Sequence, residues 1–197
     1  MNNVILYILF IIFIFICILF MNSIHSKNNT EMIQVTKPYW KTCKTISDGS
    51  CFYHAVLNCI SASYRNNTIC SKTKLSKQFR ESLESFCTYS LWKTQFSNII
   101  SYKRLIYNIR YEWAGHIEWI LTELYLDIRL IIIRDNTQSI YYYNEDISRS
   151  HKKIIILINT NDNHYEPLKY VYNDTNDKYI FRYSPLIKKL INKYTKK

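Results

Sequence analysis

The chain has 197 residues, a formal net charge of +11, 48% hydrophobic and 16% aromatic residues. That length gives room for one domain with a proper core and not for a second, and the aromatic content with its long Ile-rich runs excludes intrinsic disorder. The basic residues are spread along the chain except for Lys188, Lys189, Lys193, Lys196 and Lys197, and no nucleic-acid motif accompanies them; such a tail reads as a solvated face or a loose contact with acidic partners, lipid headgroups or nucleic acid.

Residues 4–21 are an uninterrupted apolar run of 18 residues, long enough for a membrane helix and longer than a signal-peptide h-region. Asn2 and Asn3 precede it without Lys or Arg, and no small-x-small cleavage site follows. An uncleaved transmembrane anchor over residues 1–24 is expected, with a cleaved signal sequence as the alternative. The flanking charge lies on the C-terminal side, at Lys27 and then Lys37, Lys41 and Lys44, which by the positive-inside tendency keeps that side cytoplasmic. Residues 25–37 read as a polar linker, 38–184 as the domain and 185–197 as a basic tail.

Within the domain, residues 39–45 read as a short edge segment leading to the Asp48-Gly49 turn. A helix over 51–64 follows, with Phe52, Ala55, Val56 and Cys59 at the spacing of a buried face. Residues 65–71 read as a polar loop, and 74–88 as a helix through Leu75, Phe79, Leu83 and Phe86. Residues 91–111 are mixed helix and loop, and 113–126 places Ile117, Ile120, Leu121 and Leu124 on one helical face. The period then changes. Residues 128–134 are a continuous apolar run between Asp127 and Asp135-Asn136, the pattern of a strand buried on both faces. Further strands are expected at 140–143, 154–158, 165–168 and 178–183, and a short basic helix at 186–194. Helices first and strands later imply a layered α/β or α+β domain.

The chemistry centres on Ser47-Asp48-Gly49-Ser50-Cys51. A cysteine at the first turn of a helix faces uncompensated N–H groups and the positive end of the dipole, which stabilise a thiolate and lower the thiol pKa. Average glycine usage of about 7% predicts about 14 glycines in a chain of this length, yet there are two, Gly49 and Gly115. Both are therefore expected where a Cβ is not tolerated. Cys43, Cys51, Cys59, Cys70 and Cys87 make an odd count outside the apolar run, which fits a reduced compartment or a paired set with one free thiol. No CxxC spacing suggests a zinc site. Three Asn-x-Thr sequons, at Asn28, Asn66 and Asn173, are no more than so Asn-rich a chain holds by chance.

A cysteine nucleophile needs a base, and the base an orienting acceptor. His54 lies on the same helix as Cys51 and leans away from its N-terminus; His25, His116 and His151 lie in less suitable places. His164 follows the polar loop 159–163 and starts a strand, at the lip of a sheet. Glu166, two residues on, projects to the same side in an extended segment and could accept from the ring.

Asp48-Gly49-Ser50-Cys51-Phe52-Tyr53-His54-Ala55 resembles the Asp-Gly-Asn-Cys-Leu-Phe-Arg-Ala block around the nucleophile of the ovarian tumour (OTU) class of cysteine deubiquitinases. Trp113-Ala114-Gly115-x-x-Glu118 is similar to that family's Trp-Gly-Gly-x-x-Glu segment, and Asn163-His164-Tyr165-Glu166 to its closing histidine block. The three blocks occur in the family's order across residues 45–168. The resemblance implies a papain-like OTU fold, a small mixed β-sheet packed by helices, and hydrolysis after the C-terminal glycine of ubiquitin or a ubiquitin-like modifier. It makes Cys51 the nucleophile, His164 the base and Glu166 its orienting partner, with Asp48 and the backbone N–H groups of Gly49, Ser50 and Cys51 shaping the oxyanion site. It implies no metal and no cofactor, and as partners ubiquitin-type conjugates. Ser50 stands where the family has Asn, Ala114 where it has Gly, and Glu166 where it has Asp, so Asp162 or Asn161 remains open as the third member. The alternatives are an OTU-like module that binds a modifier without cutting it, and a secreted or lumenal protein with disulfides among Cys43 to Cys87.

Overall fold

The computed structural model describes residues 37–143, 145–173 and 176–195. The apolar run at 4–21 and its flanking charge at Lys27 lie outside the described residues. Among those described, no helix is long and apolar enough to cross a membrane.

Strand β1 (Tyr39–Thr42) comes first and leads into the turn before α1 (Cys51–Ile60). The single helix expected over 51–64 is two. Ser61 is extended, and its hydroxyl accepts the Tyr64 N–H, so it caps a new short helix, α2 (Ala62–Arg65). A serine that can bond its own downstream backbone competes with helix continuation. Helix α3 (Ile69–Phe86) starts five residues before the expected Lys74, where Thr68 accepts from the Ser71 N–H. Its first turn is exposed, with Ile69 71% accessible, so no apolar period marks it. The mixed segment resolves into α4 (Tyr89–Gln95) and α5 (Tyr102–Tyr111), capped by Thr88 and Ser101 in the same way. Helix α6 is His116–Leu126, and not the longer 113–126.

Asp127, at φ +51°, ends α6 in the left-handed conformation and turns the chain into β2 (Ile128–Arg134). Then follow β3 (Ser139–Tyr143), a 3-10 turn at Glu145–Ser148, β4 (Lys153–Thr160), β5 (His164–Asn173), β6 (Asn176–Lys178), β7 (Ile180–Phe181) and α7 (Pro185–Thr195). The strands form one mixed sheet in the order β1-β5-β4-β2-β3, with β6 on β5 and β7 on β4. Among the described strands only β2 and β4 pair in parallel.

Both faces of this sheet are covered. Leu130 and Ile132 of β2 and Ile155 and Leu157 of β4 pack with α1 residues Phe52, Ala55, Val56 and Cys59 in one buried cluster. The alternate residues Ile131, Ile133, Ile154, Ile156 and Ile158 face the other way, toward Ile187 and Leu190 of α7. This is the two-sided burial that the apolar run of β2 predicts. It also gives α7, which lies in the segment set apart above as a basic tail, an apolar face at Ile187 and Leu190 that belongs to the core.

Candidate active site

The turn before α1 is held from several directions. Gly49 has φ +78°, a conformation open to glycine at little cost. The Ser50 N–H donates to Asp48 Oδ1 at 2.9 Å. The other Asp48 oxygen lies 3.0 Å from His54 Nε2. Because a carboxylate only accepts here, Nε2 carries the proton, and His54 Nδ1 accepts from the Tyr64 hydroxyl. Burial pushes the Tyr64 phenol up to about 12, so it stays a donor at neutral pH. His54 is thus a fully buried strut under the turn. Arg80 of α3 grips the turn from the other side: its guanidinium donates to Gly49 O at 2.8 Å and Ser50 Oγ at 3.2 Å, and to Ile109 O and Glu112 O at 2.9 Å each. It also stacks over the Tyr53 ring, 4.2 Å from the centroid.

These bonds revise two expectations. Of the three amides named for the oxyanion site, that of Ser50 is committed to Asp48. The Cys51 thiol pKa is raised rather than lowered. Burial is the largest cause; the Tyr165 amide of β5 and, after it, the Phe52 amide at the helix N-terminus pull it down, and the Asp48 charge pushes it up. Desolvation outweighs the dipole because Cys51 is only 6% exposed.

The other wall is the start of β5. Thr160 and His164 close the β4–β5 hairpin, with Asn161 at φ +53° and Asp162 at φ +61° as its tip, a turn that Asn and Asp tolerate. The Cys51 thiol donates to the Asn163 carbonyl at 3.5 Å, across 112 positions of sequence. His164 Nε2 lies 3.2 Å from Thr45 Oγ1 and 3.9 Å from Glu166 Oε1. The second is an ion-pair separation and not a hydrogen bond. Asp162 is paired with Arg134 Nε at 2.7 Å, which turns its carboxylate to another partner, and Asn161 stays at the turn tip.

Between these walls lies a half-open cleft of about 250 Å³, lined by Ser47, Gly49, Cys51, Trp113, Asn163 and His164. Trp113 is 55% exposed at its rim, and its indole Nε1 lies 3.8 Å from where a Gly49 Cβ would be. Ala114 is buried and its carbonyl accepts from the Tyr165 hydroxyl at 3.4 Å. Glu118, also buried, accepts the Gly115 N–H at 2.8 Å and so caps α6. Gly115 itself departs from expectation: its φ of −114° is open to any residue, and a Cβ would meet Glu118 Oε2 at an ordinary 3.5 Å. Thr45 and Arg80 are the residues that the sequence did not single out. Among the described residues no group of His, Cys, Asp and Glu is placed to hold a metal ion, and Cys43, Cys51, Cys59, Cys70 and Cys87 are all free thiols.

No protein-family model matches the chain, and no curated protein sequence matches it. A solved ovarian tumour (OTU) domain in complex with ubiquitin is similar in structure, with 18% identity, a TM-score of 0.58, and coverage of 80% of this chain and 83% of that one. The chain has the OTU fold. The OTU domain of OTUD1 has 19% identity and a TM-score of 0.49 over 66% of this chain and 85% of its own. The Hazara virus OTU bound to ubiquitin has 14% and 0.44 over 68% and 82%. In this OTU fold the cleft that holds Cys51 and His164 lies between the N-terminus of α1 and the start of β5.

Proposed function

We propose that the chain is a cysteine protease that hydrolyses the isopeptide or peptide bond after the C-terminal glycine of ubiquitin or a ubiquitin-like modifier. One observation carries the reading: Cys51 and His164 line one cleft of about 250 Å³, with Gly49 and Trp113 in its wall. In the resting state Cys51 holds its proton, since burial raises its pKa. His164 takes that proton as the sulfur attacks the scissile carbonyl, and returns it to the departing lysine amine. The resulting thioester is opened by a water that His164 deprotonates, which frees the modifier's carboxylate and restores the thiol. Backbone amides at the start of α1 face the developing oxyanion.

The test is a ubiquitin derivative carrying a cysteine-reactive electrophile at its C-terminus. The wild type should form a covalent adduct, Cys51→Ala none, and His164→Ala one at a much reduced rate. Absence of an adduct from folded protein sinks the protease reading. A second reading, a module that binds the modifier without cutting it, is favoured by the thiol's bond to the Asn163 carbonyl. It predicts saturable ubiquitin binding with no adduct. We also propose that the apolar run at residues 4–21 anchors the chain in a membrane with the domain on the cytoplasmic side. Protease protection of the full chain in vesicles would reverse that orientation if the domain were shielded.

A further inference from the structure

We propose that Thr45 is the positioning residue of His164, the role that the OTU resemblance implies for Glu166. This rests on the protease reading of the cleft and adds to it how the base is held. The Thr45 hydroxyl lies 2.6 Å from the Tyr165 carbonyl oxygen and 3.2 Å from His164 Nε2. A carbonyl can only accept, and a hydroxyl has one proton. That proton therefore goes to Tyr165 O, and Thr45 presents a lone pair to the ring. The ring must donate through Nε2–H. Its Nδ1 is then the bare nitrogen, free to take a proton from a sulfur in the cleft. Glu166 Oε1, 3.9 Å from the same Nε2, biases the ring's charge through space without fixing its proton or its plane.

The place of Thr45 follows from sheet register. Strand β1 pairs with β5 so that Thr42 faces Leu168, and the Cys43 N–H still donates to the Pro167 carbonyl at 3.0 Å. Two residues further in the same register, Thr45 arrives opposite Tyr165. An edge strand of four residues thus carries one member of the site to the base. A slip by one residue would present Lys44 or Ile46 instead, and a lysine there would repel the imidazolium.

Three measurements on the full chain test this. Ring ¹⁵N shifts of His164 in Cys51→Ala, taken at about pH 8.5 where an imidazole is ordinarily neutral, should show the Nε2–H tautomer; Nδ1–H overturns the proposal. Alkylation of Cys51 by iodoacetamide, read by peptide mass spectrometry, needs no ubiquitin. At neutral pH Thr45→Val should slow it up to about 100-fold, with Thr45→Ser within about threefold of the wild type and Glu166→Gln losing less than Thr45→Val. At alkaline pH, where the thiolate forms without a base, Thr45→Val should converge on the wild type, which a merely structural defect would not do. Thr45→Val equal to the wild type at neutral pH, or matched by Glu166→Gln, overturns the assignment. If Thr45→Val does not fold, the tautomer decides alone. Normal base-dependent alkylation with no ubiquitin adduct would leave Thr45 in its role and remove the ubiquitin reading.

Discussion

Cys51 stands on a turn gripped by Arg80 from one side and by the Asp48–His54–Tyr64 chain from the other, all around a fully buried imidazole. His164, across the cleft, is held by one threonine hydroxyl and a carboxylate 3.9 Å away, with the ring about one-quarter exposed. The nucleophile's wall is over-determined and the base's wall is lightly held. On the proposed protease reading, adjustment when a substrate docks falls to the imidazole, while the sulfur stays where the helix puts it. A protonated thiol in the resting cleft fits that reading, in which the base would complete its geometry with substrate in place.

The strongest way to break the contrast is to loosen the nucleophile's wall. Arg80→Met keeps an unbranched apolar stem but leaves the carbonyls of Gly49, Ile109 and Glu112 without their donor. At about 1–3 kcal/mol per stranded buried acceptor, a loss of about 3–5 kcal/mol is expected, a large share of the 5–15 kcal/mol typical of a domain. Urea denaturation reads the stability, and the ubiquitin electrophile reads the turn. A loss under about 1 kcal/mol would mean that Arg80 is not the clamp it looks like.

Alkali should act on the core as a whole. Burial pushes Cys87 up to about 11 and Tyr64 and Tyr179 up to about 12, and raises Cys59, Tyr53, Tyr142 and Tyr165 further. Above the ordinary range of these groups, the unfolded chain has released protons that the folded one still holds. With fewer protons on the unfolded state, stability falls as pH rises, by about 1.4 kcal/mol per pH unit for each such group inside its window. The urea midpoint should hold below pH ~8.5 and drop steadily above it. Cys59→Ala should flatten that slope, since the fully buried Cys59 is the earliest-ionising kind of group with the largest displacement.

What the sequence made legible was local. The Asp48-Gly49 turn into a helix and the apolar run of β2 each follow from neighbouring residues, and the structure has them where the pattern puts them; the polar loop read over 159–163 is a tighter turn, because Asn159 and Thr160 still belong to β4. Helix starts were written in Thr68, Thr88 and Ser101, but apolar periodicity outweighed those caps and placed α3 too late. Thr45 was not legible because its partner is chosen by β1–β5 register, a pairing across 120 positions. Arg80 was not legible because a charged residue on an amphipathic helix reads as solvent-facing until the packing of α5 and the turn encloses it. The thiol pKa went the wrong way for a related reason: the dipole is written in the sequence, and the depth of burial is not.

The smallest effects test glycine at the two positions where scarcity singled it out. Gly49→Ala forces an L side chain to φ +78°, at a cost of about 1–2 kcal/mol, though its Cβ would have room beside Trp113. Gly49→Asn should recover part of that cost, since asparagine visits this region more readily. Gly115→Ala meets neither strain nor collision, so its stability should stay within about 0.5 kcal/mol of the wild type, or rise as the unfolded chain loses freedom. The pair separates conformation from scarcity: Gly49 lines the cleft and Gly115 starts α6 against Glu118, and only Gly49 has a backbone that L residues rarely adopt. Equal losses at the two sites, measured by urea denaturation, would show that rarity in the sequence had marked a packing demand at Gly115 that its backbone angles do not display.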